Sequence, residues 1–348
     1  MDYTKQYINN SVIIEDKKKE VCVVSEQTFS SLSSLTTYKK VVDISKHHKI
    51  YGLTQNDYNE VLEKIKKQNC FLEYNYIYDK ISGTQIPLKD LVISANHNPN
   101  RYHALIQNRI NTLSNEAKEK NLSPLFMTLT LPSEFHKMKI DKKTKALIPN
   151  PKCNHVTPKE AVKHLTKMFS KLRHDRSLKE LSKDERIYFR VNEPHKNGTP
   201  HTHVLLFVPK SSINRVVTAF KRLFDNKAND IQTNIENATS YIMKYINKTL
   251  PLTKKENLSK KDKYLNAWYC KHRIIRFNCS RTLAPLSLYR LLHEKFNLKE
   301  LTSLVKKKSL SIFVLQTNRD KIMEIFNGDE LIYQRSENYT LRNGLLDF

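Results

Sequence analysis

Residues 186–209, "RIYFRVNEPHKNGTPHTHVLLFVP", predict a β-hairpin, and this hairpin decides the fold around it. Two runs rich in β-branched and aromatic residues flank the turn "HKNGTP" (195–200), where glycine and proline interrupt regular structure. Side chains alternate between the two faces of a strand, so His201 and His203 point to the same face. Glu193 then falls opposite His201 across the turn, where cross-strand Cβ atoms lie about 4.5–5.5 Å apart.

The three side chains on this face predict a cation site. Two imidazoles and one carboxylate, with coordination positions left open, suit a divalent Lewis acid. Two histidines at a strand end are equally expected as hydrogen-bonded polar residues without a metal. The glutamate at the hairpin register favours the metal, and so does a tyrosine motif further along the chain.

The segment "SYIMKYINK" (240–248) predicts a helix that presents two tyrosines and two lysines on one face. At about 100° per residue, Tyr241, Lys244, Tyr245 and Lys248 share roughly a quarter of the circumference, and the apolar residues between them occupy the rest. An ordinary amphipathic helix with tyrosines at the rim of a core has the same spacing. A phenol with a pKa of about 10 is a poor nucleophile, but adjacent lysines and a metal-bound phosphate stabilise the phenolate.

The chain of 348 residues is strongly basic, with 60 Lys and Arg against 35 Asp and Glu and a formal net charge of +25. This excess predicts a polyanionic partner, nucleic acid before an anionic membrane surface. No apolar run approaches the roughly 18–20 residues of a membrane span, and the N-terminal sequence lacks the order of a signal peptide. We therefore expect a cytoplasmic protein without membrane contact.

Short motifs exclude further classes of protein. The 5 cysteines are odd in number and show no C-x-x-C spacing, which argues against a disulfide framework and a zinc ribbon and favours a reducing compartment. No glycine lies in a G-x-x-x-x-G-K-[ST] frame, so the chain has no phosphate-cradling P-loop. An ATP-driven helicase is therefore excluded.

The histidines, the tyrosines and the charge together predict one reaction. A tyrosine attacks a DNA phosphodiester that the metal polarises, which leaves a phosphotyrosine bond and a free hydroxyl. The bond energy is conserved, so a second tyrosine, or the hydroxyl itself, reverses the transfer without ATP. A paired nucleophile suits two transesterifications in sequence.

Residues 99–250 alternate between helical and strand patterns, which favours an antiparallel sheet with helices packed on one side over a parallel doubly wound sheet. Within this region the patterns predict helices at 99–121, 212–224 and 238–248. A further helix is predicted to begin at the capping box of Thr157 and Glu160, and strands are predicted at 124–132 and in the hairpin. Outside it they predict a helix at 55–68, a hairpin within 70–88, a basic loop-rich segment at 251–280, a helix at 284–296 and a strand within 310–316.

Three motifs resemble known families. "PHTH" (200–203) resembles the His-hydrophobe-His signature of HUH endonucleases, with Thr202 in the middle place, where the side chain points away from the metal. "YIMKYINK" (241–248) resembles the two-tyrosine motif of the bacteriophage replication gene A proteins, which initiate rolling-circle replication. "FMTLTLPSEFH" (126–136) resembles the first motif of that family. The motifs follow the order of the family.

This resemblance implies an α+β fold: an HUH nuclease core with a central antiparallel sheet of about five strands, of RNA-recognition-like topology, flanked by helices. It covers about residues 99–295, which we take as the HUH endonuclease domain. Residues 1–98 are then an N-terminal accessory or DNA-contacting region, and residues 296–348 are a smaller C-terminal region.

For the site, the resemblance implies Mg²⁺ or Mn²⁺ at His201 and His203 with a third polar ligand. Glu193 is the choice on hairpin register, and His195 and His136 are the alternatives.

The resemblance also assigns the nucleophiles. Tyr241 and Tyr245 match the alternating tyrosines of the family, and Lys244 and Lys248 match the lysines beside the second tyrosine. Nicking would leave a tyrosine on the 5′ phosphate and a 3′ hydroxyl that primes a host polymerase.

The expected partners are single-stranded or locally melted origin DNA, a host helicase and a host DNA polymerase. The tract "YNYIYD" (74–79) is either a stacking platform for bases or, as we favour, a set of packed strand residues.

A two-tyrosine HUH transposase shares the chemistry, but such enzymes usually carry a cysteine-rich zinc module that this sequence lacks. A relaxase usually has its tyrosines before the histidine motif. A non-catalytic DNA-binding initiator leaves both motifs unexplained, and a zinc hydrolase of small molecules leaves the charge and the tyrosines unexplained.

Overall fold

The structure, a computed structural model, describes residues 49–344 except 142, 144–146, 254–257, 316–320 and 337. Its helices are α1 Gln55–Tyr74, α2 Leu88–Leu91, α3 Pro99–Glu119, α4 Pro158–His174, α5 Arg176–Lys179, α6 Ile213–Leu223, α7 Ala238–Thr249, α8 Lys260–His272, α9 Leu286–Leu292 and α10 Leu298–Lys306. Its strands are β1 Asn75–Asp79, β2 Gln85–Pro87, β3 Leu122–Thr130, β4 Met138–Ile140, β5 Leu147–Pro149, β6 Ile187–Pro194, β7 Pro200–Pro209, β8 Asp230–Gln232, β9 Phe277–Cys279, β10 Leu310–Leu315, β11 Lys321–Asn327, β12 Glu330–Gln334 and β13 Tyr339–Asn343.

A five-stranded sheet in the order β8-β3-β7-β6-β9 lies at the centre, and each neighbouring pair in it is antiparallel. The elements β3, α4, β6, β7, α6 and β8 come in this order along the chain, with β4 and β5 inserted before α4 and α5 after it. Strands β3 and β7 are neighbours in the sheet. This is the split β-α-β arrangement of ferredoxin-like folds, which RNA-recognition motifs share. The predicted fold class, an antiparallel sheet of about five strands flanked by helices, is confirmed.

Helices cover both faces of this sheet, so the expectation of helices on one side is wrong. Leu125, Met127 and Leu129 of β3 pack with α4 and α6, whereas Phe126 between them packs with α3 and α7. Successive residues of a strand point to opposite faces, and the central strands β3 and β7 are apolar at consecutive positions. Both faces therefore need cover from water.

The segment 251–280 contains α8, so the loop-rich prediction for it is wrong. A capping box formed by Ser259 and Asp262 begins the helix. Lysines at both ends give the segment its basic character, but its middle is buried, and Trp268 and Tyr269 are 0% and 2% exposed. Their polar atoms bond to the hairpin: the Trp268 indole N–H donates to the carbonyl of Gly198, and the Tyr269 hydroxyl donates to that of Asn192.

At the N-terminal side, α1 runs to Tyr74 and is longer than the predicted 55–68. It takes up the first part of the predicted hairpin, and only the short pair β1 and β2 forms around Gly83. The capping box of Thr157 and Glu160 at α4 is confirmed, and so is a strand within 310–316, which is β10.

Besides the two-stranded sheet of β4 and β5, two smaller sheets of three strands each complete the described residues. One has the order β10-β11-β12, and the other has the order β13-β1-β2, so residues from both ends of the described chain share a sheet. In the second sheet the guanidinium of Arg342 lies 3.7 Å from the ring centre of Tyr78. The use of this tyrosine tract by bases stays a prediction, and so do the domain boundaries at 98 and 295. Residues 1–48 lie outside the described residues.

The four cysteines that the structure describes are free thiols: Cys70, Cys153, Cys270 and Cys279. No helix in the described part of the chain is long and apolar enough to cross a membrane.

The turn of the central hairpin is fixed by close backbone contact. Gly198 has a φ of +89°, and a Cβ atom there would lie 2.3 Å from the carbonyl oxygen of Tyr51. Gly83 has a φ of +70° but nothing within 4 Å of an added Cβ. The two glycines thus share the left-handed backbone, and Gly198 alone of the pair is pressed against another segment.

We expect Gly198→Ala to destabilise the fold by about 2 kcal/mol more than Gly83→Ala, because only the first substitution adds a clash with backbone to the strain of a positive φ. Urea denaturation followed by circular dichroism measures both free energies of unfolding. Equal losses for the two variants would show that the contact with Tyr51 imposes no constraint on the turn.

Candidate metal and tyrosine site

The central hairpin brings the predicted metal ligands together. Glu193 pairs directly with His201 across the turn, and His203 lies two residues further along β7, next to β3. The Oε2 atom of Glu193 lies 3.7 Å from the Nε2 atom of each histidine, and the two Nε2 atoms are 3.0 Å apart. Within the described residues this is the one group of three His, Cys, Asp or Glu side chains whose donor atoms all lie within 4.8 Å of one another.

Glu193 is a buried anion. Its side chain is 2% exposed, and its Oε2 atom accepts a hydrogen bond from Lys248 Nζ at 2.7 Å. Burial alone would raise the pKa of this carboxyl, but hydrogen bonds and charge from His203 and Lys248 outweigh burial and lower it. Its Oε1 atom is buried without a hydrogen-bond partner among the described residues.

The neighbouring His201 is held neutral. Burial, followed by the nearby imidazoles, lowers the pKa of His201 from 6.5 to about 2. A neutral imidazole has a lone pair that a cation can accept. The Nδ1 atom of His203 lies 3.1 Å from the hydroxyl of Thr128, and its Nε2 atom on the other side of the ring faces Glu193.

The donor set therefore fits a divalent cation. Two imidazole nitrogens and one carboxylate oxygen, Oε2 of Glu193, converge on one point. Thr128 is a residue that the sequence analysis missed. The sequence feature that could have identified it is a hydroxyl in the middle of the apolar strand "LFMTLTL". Thr128 lies on the same face of the sheet as Phe126 and as the histidines of β7.

The alternative ligands, His195 and His136, lie next to this group but are not part of it. The ring of His195 is 4.2 Å from that of His201, and the ring of His136 is 5.4 Å from that of His195. His136 bonds to the Asn197 amide and to a backbone carbonyl. Burial, followed by charge repulsion from neighbouring imidazoles, lowers the pKa of His195 to about 4, and its Nε2 atom has no partner among the described residues.

Helix α7 places the two tyrosines against the histidine face of the sheet. Its apolar residues Ile242 and Ile246 are buried with Phe126 in the core on that face. The ring of Tyr245 lies 4.0 Å from the ring of His203. Tyr241, one helical turn earlier, is 5.9 Å from Tyr245 between ring centres. Tyr245 is therefore the tyrosine that contacts the group of Glu193, His201 and His203.

Tyr241 instead bonds to the edge of the sheet, because its hydroxyl donates to the Gln232 side chain of β8 at 3.3 Å. The pKa of Tyr245 is raised, first by burial, then by a hydrogen bond and charge from Tyr241, and then by Glu193 and Asp230. Its phenol is consequently protonated at neutral pH. Both lysines of the motif are exposed, and they differ in that Lys248 contacts Glu193.

Thr202 points to the opposite face, as the alternation predicted. It is fully buried, and its hydroxyl donates to the Asn192 side chain at 2.7 Å. The amide of Asn192 in turn donates to the carbonyl of Ile275. A polar residue is stable in this buried place because its hydroxyl has a partner.

Comparison with known proteins gives the family of the chain. Residues 33–252, more than half of the chain, match the family model described as bacteriophage replication gene A protein (GPA). The chain belongs to this family.

Individual gene A relatives resemble the chain at low identity. The replication protein of Haemophilus phage HP1 is 32% identical over 184 residues, 48% of this chain and 22% of that protein. The replication gene A protein of Escherichia phage 186 is 28% identical over 227 residues, 60% of this chain and 31% of that protein. A probable replication endonuclease from a prophage-like region of Salmonella typhi is 26% identical over 248 residues, which is 63% of this chain and 30% of that protein.

The matched part of the chain spans less than a third of the length of each of these relatives. No solved structure gives a significant match.

We expect the metal-free protein to lose stability on acidification through His195. The folded pKa of about 4 lies below the ordinary 6.5, so the unfolded chain takes up this proton first. The contribution of His195 is full above pH 6.5 and is lost as the pH falls toward 4.

Urea denaturation in EDTA measures this effect in the wild type and in His195→Gln. Between about pH 7 and about pH 5 the wild type should lose about 1 kcal/mol more than the variant. Parallel pH profiles would contradict the lowered pKa.

Proposed function

We propose that this chain is a rolling-circle replication initiator that nicks single-stranded or locally melted origin DNA and transfers the strand through a tyrosine. The observation that carries the proposal is the ring of Tyr245 against His203, next to the buried group of Glu193, His201 and His203. A nucleophile beside a cation site is the arrangement that phosphodiester transfer requires.

The proposed reaction balances without water or ATP. The Oη atom of a tyrosine attacks the phosphorus, a P–Oη bond forms, and the bond from phosphorus to the 3′ oxygen breaks. The phenol loses one proton and the departing 3′ oxygen gains one. The products are a 5′-phosphotyrosine and a 3′ hydroxyl, which a host polymerase extends behind a host helicase.

Mg²⁺ or Mn²⁺ held by Glu193, His201 and His203 would supply positive charge at the phosphate oxygens. The side chains of the protein orient the parts. Thr128 fixes the ring of His203 through its hydroxyl. Ammonium groups near the phenols favour the phenolate, and Lys244 and Lys248 each follow a tyrosine by three residues on the same helix.

We further propose that Tyr245 cuts first and Tyr241 second. Tyr245 contacts His203, whereas Tyr241 is bonded to Gln232 at the sheet edge. A second strand transfer would bring in Tyr241 once Tyr245 carries the DNA.

The family supports replication initiation over transposition, the alternative that shares this chemistry, because the relatives are named as replication proteins and probable replication endonucleases. A non-catalytic initiator gives no role to a buried Glu-His-His group beside two tyrosines. The net charge of +25 suits a protein that binds the DNA backbone.

Replacing both Tyr241 and Tyr245 by Phe should abolish the covalent protein–DNA adduct that forms with Mn²⁺ and single-stranded origin DNA. Tyr245→Phe alone should lower the first adduct at least about tenfold, and Tyr241→Phe should lower it less, because one nucleophile suffices for the first cut. Denaturing gels with labelled DNA measure the adduct.

The matched control is Tyr58→Phe, a tyrosine that stacks on Tyr264 outside the site and should leave the adduct unchanged. A double variant that still forms the adduct would refute the assignment of the nucleophiles. A larger loss in Tyr241→Phe than in Tyr245→Phe would reverse the proposed order.

Glu193→Gln should raise the Mn²⁺ concentration needed for half-maximal nicking at least about tenfold, because an amide oxygen is a weaker ligand than a carboxylate. Titration of nicking with Mn²⁺ measures the change, and Glu63→Gln on the exposed face of α1 is the control. An unchanged requirement would move the third ligand to His195 or His136.

A further inference from the structure

One oxygen atom of Glu193 faces two kinds of partner at once. Its Oε2 atom is 2.7 Å from Lys248 Nζ and 3.7 Å from the Nε2 atoms of His201 and His203. The ammonium therefore bonds to the same carboxylate oxygen that a cation shared with the histidines would contact.

The two members of this ion pair differ in burial. The Glu193 side chain is 2% exposed on an inner strand of the sheet, whereas the Lys248 side chain is 60% exposed on α7. Lys248 can therefore leave for solvent at little cost, but a buried carboxylate without a positive neighbour is strongly unfavourable. Some positive charge must stay at Oε2, and either the ammonium or a metal ion can supply it.

We propose that Lys248 holds the place of the metal at Glu193 and is released when the metal binds. A divalent ion that touched Oε2 would lie within a few ångströms of the ammonium, and like charges at such distances repel. Metal ion and lysine thus compete for one oxygen atom.

Release gives Lys248 a second role, which rests on the proposed nicking function. The lysine shares one face of α7 with Tyr241 and Tyr245, so an ammonium freed from Glu193 stays beside the tyrosines and can bind a phosphate of the DNA. Because coupling between two ligands is reciprocal, a phosphate that draws Lys248 away from Glu193 raises the affinity for metal. Lys248 is then a positioning residue that couples metal binding to DNA binding.

Lys244 provides the matched comparison. It lies on the same helix one turn earlier and carries the same charge, but it is exposed and makes no ion pair within the described residues. Removing its charge changes the field near the site without freeing Glu193.

Isothermal titration of the full chain with Mn²⁺ alone, without DNA, tests the competition. Lys248→Met should bind Mn²⁺ about tenfold more tightly than the wild type, since the competitor is gone. Lys244→Met should bind like the wild type, and Lys248→Arg, which restores the charge, should return to wild-type affinity. Equal or weaker binding by Lys248→Met, in a series whose wild type binds Mn²⁺, overturns the competition and leaves the proposed function standing.

A wild type that does not bind Mn²⁺ overturns both proposals. A second measurement needs no variant and so does not depend on the folding of Lys248→Met. Acetylation of lysines in the wild type, read by mass spectrometry, should label Lys248 several-fold faster after Mn²⁺ is added, and Lys244 at an unchanged rate. An unchanged rate at Lys248 contradicts its release.

Discussion

The buried charge of Glu193 is the constraint on which the rest of the site depends. A carboxylate inside a protein needs positive or hydrogen-bonding neighbours, and each element around it supplies one. Strand β7 brings the histidines by direct pairing across the hairpin, and α7 brings the ammonium of Lys248. Moving any of these elements would leave an anion buried without compensation, so the same interaction that stabilises the site also fixes its geometry.

The two faces of the central sheet have different roles. The face under α4 and α6 is an apolar core that holds the strands in register. The opposite face combines apolar packing from α3 and α7 with the histidines, Thr128 and the tyrosines. Alternation along a strand allows this division, because one β-strand can contribute a core residue and a site residue at consecutive positions.

Local patterns were enough to predict the hairpin and its register. A turn with glycine and proline between two apolar runs defines which residues oppose each other, and so Glu193 could be placed opposite His201 from sequence alone. The capping box of α4 and the shared face of Tyr241 and Tyr245 are equally local. The roles of these residues in catalysis stay a prediction.

Features that depend on distant contacts could not be predicted. Helix α8 was not recognised from the sequence because its ends are charged. Its burial follows from contacts with a hairpin some 70 residues earlier. Helices on both faces follow from the docking of α3 and α7, which no local pattern encodes. The nearness of Tyr245 and the distance of Tyr241 also depend on how α7 meets the sheet.

Trp268 is the single tryptophan of the chain, and its buried indole donates to the carbonyl of Gly198 in the turn that leads into the histidine strand. Indole emission responds to burial and to hydrogen bonding. The protein therefore carries a built-in fluorophore whose signal comes from one place, the turn next to Glu193, His201 and His203. Its emission spectrum reports the state of that turn in the unmodified protein, without an attached dye.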